Sequence, residues 1–338
     1  MKTFLFSIFV IALPLGILSC TSTEVRQSAL SASPTRTPQA ESMFQLGAIH
    51  YNSHVPGVGS VDLRTGIYYE ASEAEFKGCV LYLQGLADSI MNHQKLFSAL
   101  SQNGYRVISF DYMGQGGSEG SMNHSRVHDV LFPALEIGVQ AKMIWTQFAE
   151  AESVRGNNCS ASKKMVIGWS TGGLATYKLA HDEWADSVVL IAPGIHPNKF
   201  VGEAARSPAL MIGLKQVITE RTLTRNKFDG QPNPHVDPIK PVSPALVPLF
   251  AGNLLATSIE SRIWNISDDV NGIVFLSGAE DTYVDRDATK ATLAKRAPHF
   301  SIVQYNGALH EIDNEIPEIS DNMITKTLNF FNSHLERK

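Results

Sequence analysis

Cysteine is scarce in this chain, with three residues in 338, at positions 20, 79 and 159. So few sulfurs exclude a disulfide-dense scaffold and a four-cysteine zinc module. No cluster of His, Cys and Asp has ligand spacing, so neither a metal nor an organic cofactor is expected. Charge is also sparse: 18% of residues are charged and the net charge is −5. Without a basic block or an aromatic-basic stripe, nucleic acid is not an expected partner. No internal repeat is present, which argues against a solenoid. The apolar run over 3–18 is short for a membrane span and has no charged residues on its far side.

Residues 1–19 therefore read as a signal peptide, and the tract Ile17-Leu18-Ser19-Cys20 resembles a bacterial lipoprotein signal. That resemblance makes Cys20 the lipid-bearing residue and the membrane a partner through an N-terminal anchor. The alternative is an ordinary signal peptide cut near Ser19 or Ser22, with Cys20 incidental. Thr21 in place of an acidic residue leans toward the outer membrane. Residues 20–42 are rich in Ser, Thr, Pro and Ala and cannot bury apolar surface, so they read as a flexible tether. An exported, membrane-anchored protein of the cell envelope is expected.

What remains, 43–338, alternates apolar strands with helices. Such alternation argues for one α/β domain, a mostly parallel eight-stranded sheet with helices on both faces. Early strands over 44–51 and 60–69 flank the turn Val55-Pro56-Gly57. Further strands are expected at 79–83, 105–110, 164–168, 187–192, 272–277 and 301–305. Helices are expected at 91–100, 127–152, 173–181 and 322–335. Between strands six and seven the rhythm breaks into a proline-rich segment, so a small cap is expected at about 196–268. Cys79 opens one strand and Cys159 lies six residues before Met165 of another; such a fold makes the two strands neighbours, and the cysteines read either as a disulfide or as two buried thiols.

The chemistry-bearing motif is Gly168-Trp169-Ser170-Thr171-Gly172, directly after the apolar run Met165-Val166-Ile167. Gly-x-Ser-x-Gly at a strand end marks a sharp turn that exposes a serine above the sheet. A serine hydroxyl needs a base, and the base needs an orienting acid. Asp281 and His310 follow later strands and complete the order Ser, Asp, His. Glu280 and Asp285 compete for the acid role; Asp285 instead suits the cap of a helix beginning near Arg286. The oxyanion donors are expected to be the backbone N–H groups of Leu86, in Gln84-Gly85-Leu86-Ala87, and Thr171.

From about 78 to 335 the chain resembles the monoacylglycerol lipase and lysophospholipase group of α/β-hydrolases, which includes serine aminopeptidase-like members. Asp111-Tyr-Met-Gly-Gln-Gly-Gly-Ser118 resembles the group's Asp-x-x-Gly-x-Gly-x-Ser turn. Gly168-Trp-Ser-Thr-Gly-Gly173 resembles its nucleophile elbow, and the stretch Tyr305 to Glu318 resembles its histidine loop. Gln84 stands where the group has His, and Trp169 and Thr171 stand for His and Met. The resemblance implies ester hydrolysis through an acyl-enzyme, with an acyl ester or lipid as small-molecule partner. Two rivals are an exported aminopeptidase, whose amine-binding carboxylates would be Glu203, Glu220 or Asp229, and a non-catalytic binding protein.

Overall fold

The computed structural model describes residues 42–53, 55–70, 74–86, 88–198 and 248–335. The expected signal peptide, Cys20, the tether and most of the cap (199–247, with Glu203, Glu220 and Asp229) lie outside the described residues. Eight strands, β1 (Ser42–Asn52), β2 (Ser60–Glu70), β3 (Gly78–Leu83), β4 (Tyr105–Phe110), β5 (Met165–Trp169), β6 (Ser187–Ile191), β7 (Asn271–Leu276) and β8 (Ser301–Gln304), form one sheet. Its order is β1-β2-β4-β3-β5-β6-β7-β8. The β1–β2 hairpin and the β2–β4 pair are antiparallel; every other pair is parallel.

The central strands are buried on both faces, as their unbroken apolar sequences require. Side chains alternate between two cores. Cys79, Leu81, Leu83 and Val166 point to the side covered by α2 (Ile137–Val154) and α3 (Thr171–His181). Val80, Tyr82, Met165, Ile167 and Trp169 point to the side covered by α1 (Gln94–Gln102) and by Pro317–Leu335, α6 below. α4 (Pro248–Ser261) and α5 (Arg286–Arg296) complete the helices among the described residues. Asp285 caps α5, its Oδ1 accepting from the Ala288 N–H at 3.0 Å.

The expected helix over 127–152 is corrected: the helix begins only at Ile137. Asp129 Oδ1 accepts from the Leu131 and Phe132 N–H groups at 2.8 and 3.1 Å, and Glu136 Oε1 accepts from the Asp129 N–H at 2.7 Å. These side-chain bonds offer the backbone a turn in place of a helix, and Pro133 opens a separate 3-10 turn. α4 then pins this loop, because Asn253 accepts from the Val127 N–H and donates to the His128 carbonyl.

Cys79 and Cys159 are joined by a disulfide, their Cα atoms 5.4 Å apart and 80 residues apart in sequence. Closing a loop of that size restricts the unfolded chain and is worth about 2–4 kcal/mol. Cys79→Ser/Cys159→Ser is expected to lower unfolding stability by that amount in urea titration. Adding reductant should then shift the wild-type midpoint and leave the variant's unmoved.

Candidate active site

The site stands at the carboxyl ends of β3, β5, β7 and β8. Ser170 follows β5 with φ 55° and ψ −113°, a conformation that costs an L-residue energy and persists only when its surroundings enforce it. Three backbone bonds do so. Its N–H donates to the Ile191 carbonyl of β6 at 2.9 Å. Its own carbonyl accepts from the Leu174 and Gly194 N–H groups at 3.0 and 2.9 Å. Gly168 and Gly172 are required by contact: a Cβ on Gly172 would collide with the Leu83 and Gln84 carbonyl oxygens, and one on Gly168 with Thr176 and Gly172. The first turn of α3 therefore lies against the end of β3.

Ser170, His310 and Asp281 come together at hydrogen-bonding distance. Ser170 Oγ is 2.8 Å from His310 Nε2, and His310 Nδ1 is 2.9 Å from Asp281 Oδ2. Asp281 Oδ1 accepts from the Tyr283 and Val284 N–H groups at 2.7 and 3.1 Å, and its Oδ2 also accepts from the Ser277 hydroxyl. Burial works to raise the Asp281 carboxyl, but the adjacent His310 and these hydrogen bonds outweigh it and hold the group below its ordinary value. Glu280, the neighbouring competitor, is exposed.

Thr171 is the first residue of α3, where backbone N–H groups have no partner within the helix. Leu86 lies half-buried in the loop after β3 (residues 84–93, the oxyanion loop below). Gly85, just before it, packs its Cα against the Trp169 ring, where a Cβ would clash. The two expected oxyanion donors thus belong to segments in direct contact.

Sequence reasoning missed the groups that hold this loop. Asp111 pairs with Arg64 and accepts from the Ile90 and Gly117 N–H groups at 2.9 and 2.8 Å, while Arg64 also donates to the Ser89 hydroxyl at 2.8 Å. Gln84, the departure from His, donates to the Asp88 carbonyl at 3.0 Å. Trp169, the departure inside the elbow, donates its Nε1–H to the His310 carbonyl at 3.0 Å. Asp111 carried a sequence signal as part of the motif at 111–118, and Gln84 and Trp169 as departures from the resembled motifs, whereas Arg64 carried none.

Among the described residues one group of metal-ligating types gathers, His93, Glu311 and Asp313, with one potential ligand atom from each lying within 4.8 Å of the others. Both His93 nitrogens, however, face carboxylates at 2.5 Å, leaving no imidazole lone pair for a metal.

A family model described as serine aminopeptidase, S33, matches residues 74–235, a span that contains the oxyanion loop and the elbow but ends before Asp281 and His310. Solved structures share the fold. The chain has the α/β-hydrolase fold. A monoacylglycerol lipase from Paleococcus ferrophilus aligns at TM-score 0.58 and 18% identity, covering 80% of this chain and 99% of its own. A monoglyceride lipase variant from Saccharomyces cerevisiae aligns at 0.60 and 15%, covering 84% and 94%. A carboxyl esterase from Bacillus coagulans aligns at 0.59 and 13%, covering 86% and 99%. At these identities the likeness concerns fold. No match is found among curated protein sequences.

Gly172→Ala should cost about 3 kcal/mol through backbone collision. Gly252→Ala at an exposed position of α4, where a Cβ meets nothing within 4 Å, should instead stabilise by about 0.5–1 kcal/mol. Calorimetry of the two variants checks both signs. Because the folded Asp281 value is lowered, its stabilising contribution is complete above its ordinary 3.8 and is lost as pH falls through the lowered value. Asp281→Asn should therefore narrow its stability deficit against wild type in acid titration below about pH 4.

Proposed function

We propose that this hydrolase cleaves carboxylic esters through an acyl-enzyme, with lipid esters of the monoacylglycerol or lysophospholipid kind as substrates. The observation that carries the reading is the continuous hydrogen-bonded line Ser170–His310–Asp281 beside the α3 N-terminus. In this reading Ser170 Oγ attacks the acyl carbonyl carbon while His310 Nε2 takes its proton. The Leu86 and Thr171 N–H groups hold the oxyanion. Collapse breaks the acyl carbon–oxygen bond to the alcohol, which leaves with the proton returned by His310. Water, deprotonated by His310, then cleaves the acyl-serine. Asp281 holds the imidazole tautomer throughout and stabilises the imidazolium.

The lipid-ester half of the proposal is supported by neighbours whose own names are monoacylglycerol lipase and monoglyceride lipase. It is supported also by residues 1–20, which in this reading export the chain and anchor it by lipid on Cys20 at the bacterial envelope. No helix among the described residues is long and apolar enough to cross a membrane. A second reading, removal of N-terminal residues from peptides, is favoured by the family model at 74–235.

An ester panel from acetyl to palmitoyl, with monoacylglycerol, lysophosphatidylcholine and peptide amides, decides between them. Ser170→Ala should lower ester turnover by roughly 10⁴-fold or more, and wild-type kcat/KM should rise with acyl length. Peptide-amide cleavage exceeding ester cleavage would favour the aminopeptidase. Cys20→Ser should release the protein from membranes in fractionation.

A further inference from the structure

A buried charged chain that acyl transfer does not use joins the oxyanion loop to the histidine loop. His93, fully buried at the end of the 3-10 turn Ile90–His93, has Nε2 2.5 Å from Asp88 Oδ2 and Nδ1 2.5 Å from Asp313 Oδ2. Asp88 lies two residues after Leu86, and Asp313 three after His310. An imidazole that meets a carboxylate at each nitrogen carries both protons and is a cation. Burial alone would lower its pKa, yet Asp88 and Asp313 raise it well above the ordinary value.

A second bond crosses the same gap, from Asn314 Nδ2 to the Asn92 carbonyl at 2.9 Å. Asn92 Nδ2 in turn donates to Asp88 Oδ1 at 2.7 Å. The His93 ring lies 4.7 Å from the Tyr82 ring and 5.5 Å from that of Trp169, whose other neighbour at 5.5 Å is the His310 ring. Glu311 and the Tyr82 phenol complete the titratable surroundings, with Tyr112 beyond Asp88. Buried ion pairs seldom add net stability over apolar residues of equal volume. What this one does supply is a fixed distance between two loops that no β-ladder connects.

We propose that His93 is a positioning residue for acyl transfer: its imidazolium ties Asp88 to Asp313 and so sets the Leu86 N–H against His310. The proposal rests on the ester-hydrolase reading for its reaction, but not for its test. Three properties are measured on full-length protein in detergent: melting temperature, kcat and KM on the best ester, and the rate at which a fluorophosphonate labels Ser170. His93→Phe keeps a ring against Tyr82 and Trp169 but strands two buried carboxylates. Asp88→Asn/His93→Phe/Asp313→Asn removes those charges as well.

The triple variant is expected to regain most of the melting temperature that His93→Phe loses. Its KM should stay within about twofold while kcat and labelling rate stay about 10- to 100-fold below wild type, the effect of a small misplacement. A triple variant with wild-type kcat and labelling overturns the proposal. If the variants do not fold, wild-type histidine nitrogen NMR decides. His93 should keep both protons across neutral pH, because a raised value is lost only as pH rises through it, and its deprotonation should shift the His310 signals in the same step. His93 deprotonation that leaves the His310 signals unmoved overturns the proposal. A wild type inactive on every ester but labelled by the probe defeats the ester reading alone, and the labelling rates still judge His93; one that neither hydrolyses nor labels defeats both.

Discussion

The backbone of Ser170, bent to φ 55° between β5 and α3, is the constraint on which the site depends. A nucleophile raised above a sheet needs that bend, and the bend survives only because β6, α3 and the segment after β6 each contribute a hydrogen bond to it. The glycines on either side are consequences of the same geometry. Gly172 lets α3 approach the end of β3 closely enough to bring its first turn beside the oxyanion loop. Gly85 lets that loop lie flat on Trp169, and Trp169 reaches the His310 carbonyl. One strained residue thereby sets the spacing of Ser170, the loop after β3 and His310.

Buried charge is grouped in three units around this bend. Arg64 pairs with Asp111 behind the oxyanion loop, His93 bridges Asp88 and Asp313 between the loops, and His310 faces Asp281 beside Ser170. Asp111, Asp88 and Asp281 each accept from further backbone or side-chain donors, whereas Asp313 relies on His93 and its Oδ1 has no hydrogen-bond partner among the described residues. Most of this polarity serves to hold loops, and of the three units only His310–Asp281 also reaches Ser170. This is the arrangement expected of a preorganised site, whose dipoles are set before charge develops on the oxyanion.

Much of the sheet was legible from periodicity, because strands buried on both faces must be apolar throughout, as 79–83 and 187–191 are. Helix beginnings were less legible. At 127–136 the apolar residues have helical spacing, yet Asp129 and Glu136 spend their side chains on nearby N–H groups and hold a loop. The choice between a disulfide and two thiols at Cys79 and Cys159 was open in sequence. The pairing of β3 with β5 brings the two residues within bonding reach. His93 gave no local sign of its role, since its partner Asp313 is 220 residues away.

Local order along the chain determined the elbow, the strand ends that carry Asp281 and His310, and the alternation that makes the sheet. Each of these is written in residues a few positions apart, where steric limits and side-chain period act directly. Which loops touch, which charges close on one another and which thiols bond were decided only by the tertiary structure. Those contacts join residues tens to hundreds of positions apart, and packing alone brings them within the few ångströms at which hydrogen bonds and ion pairs have force.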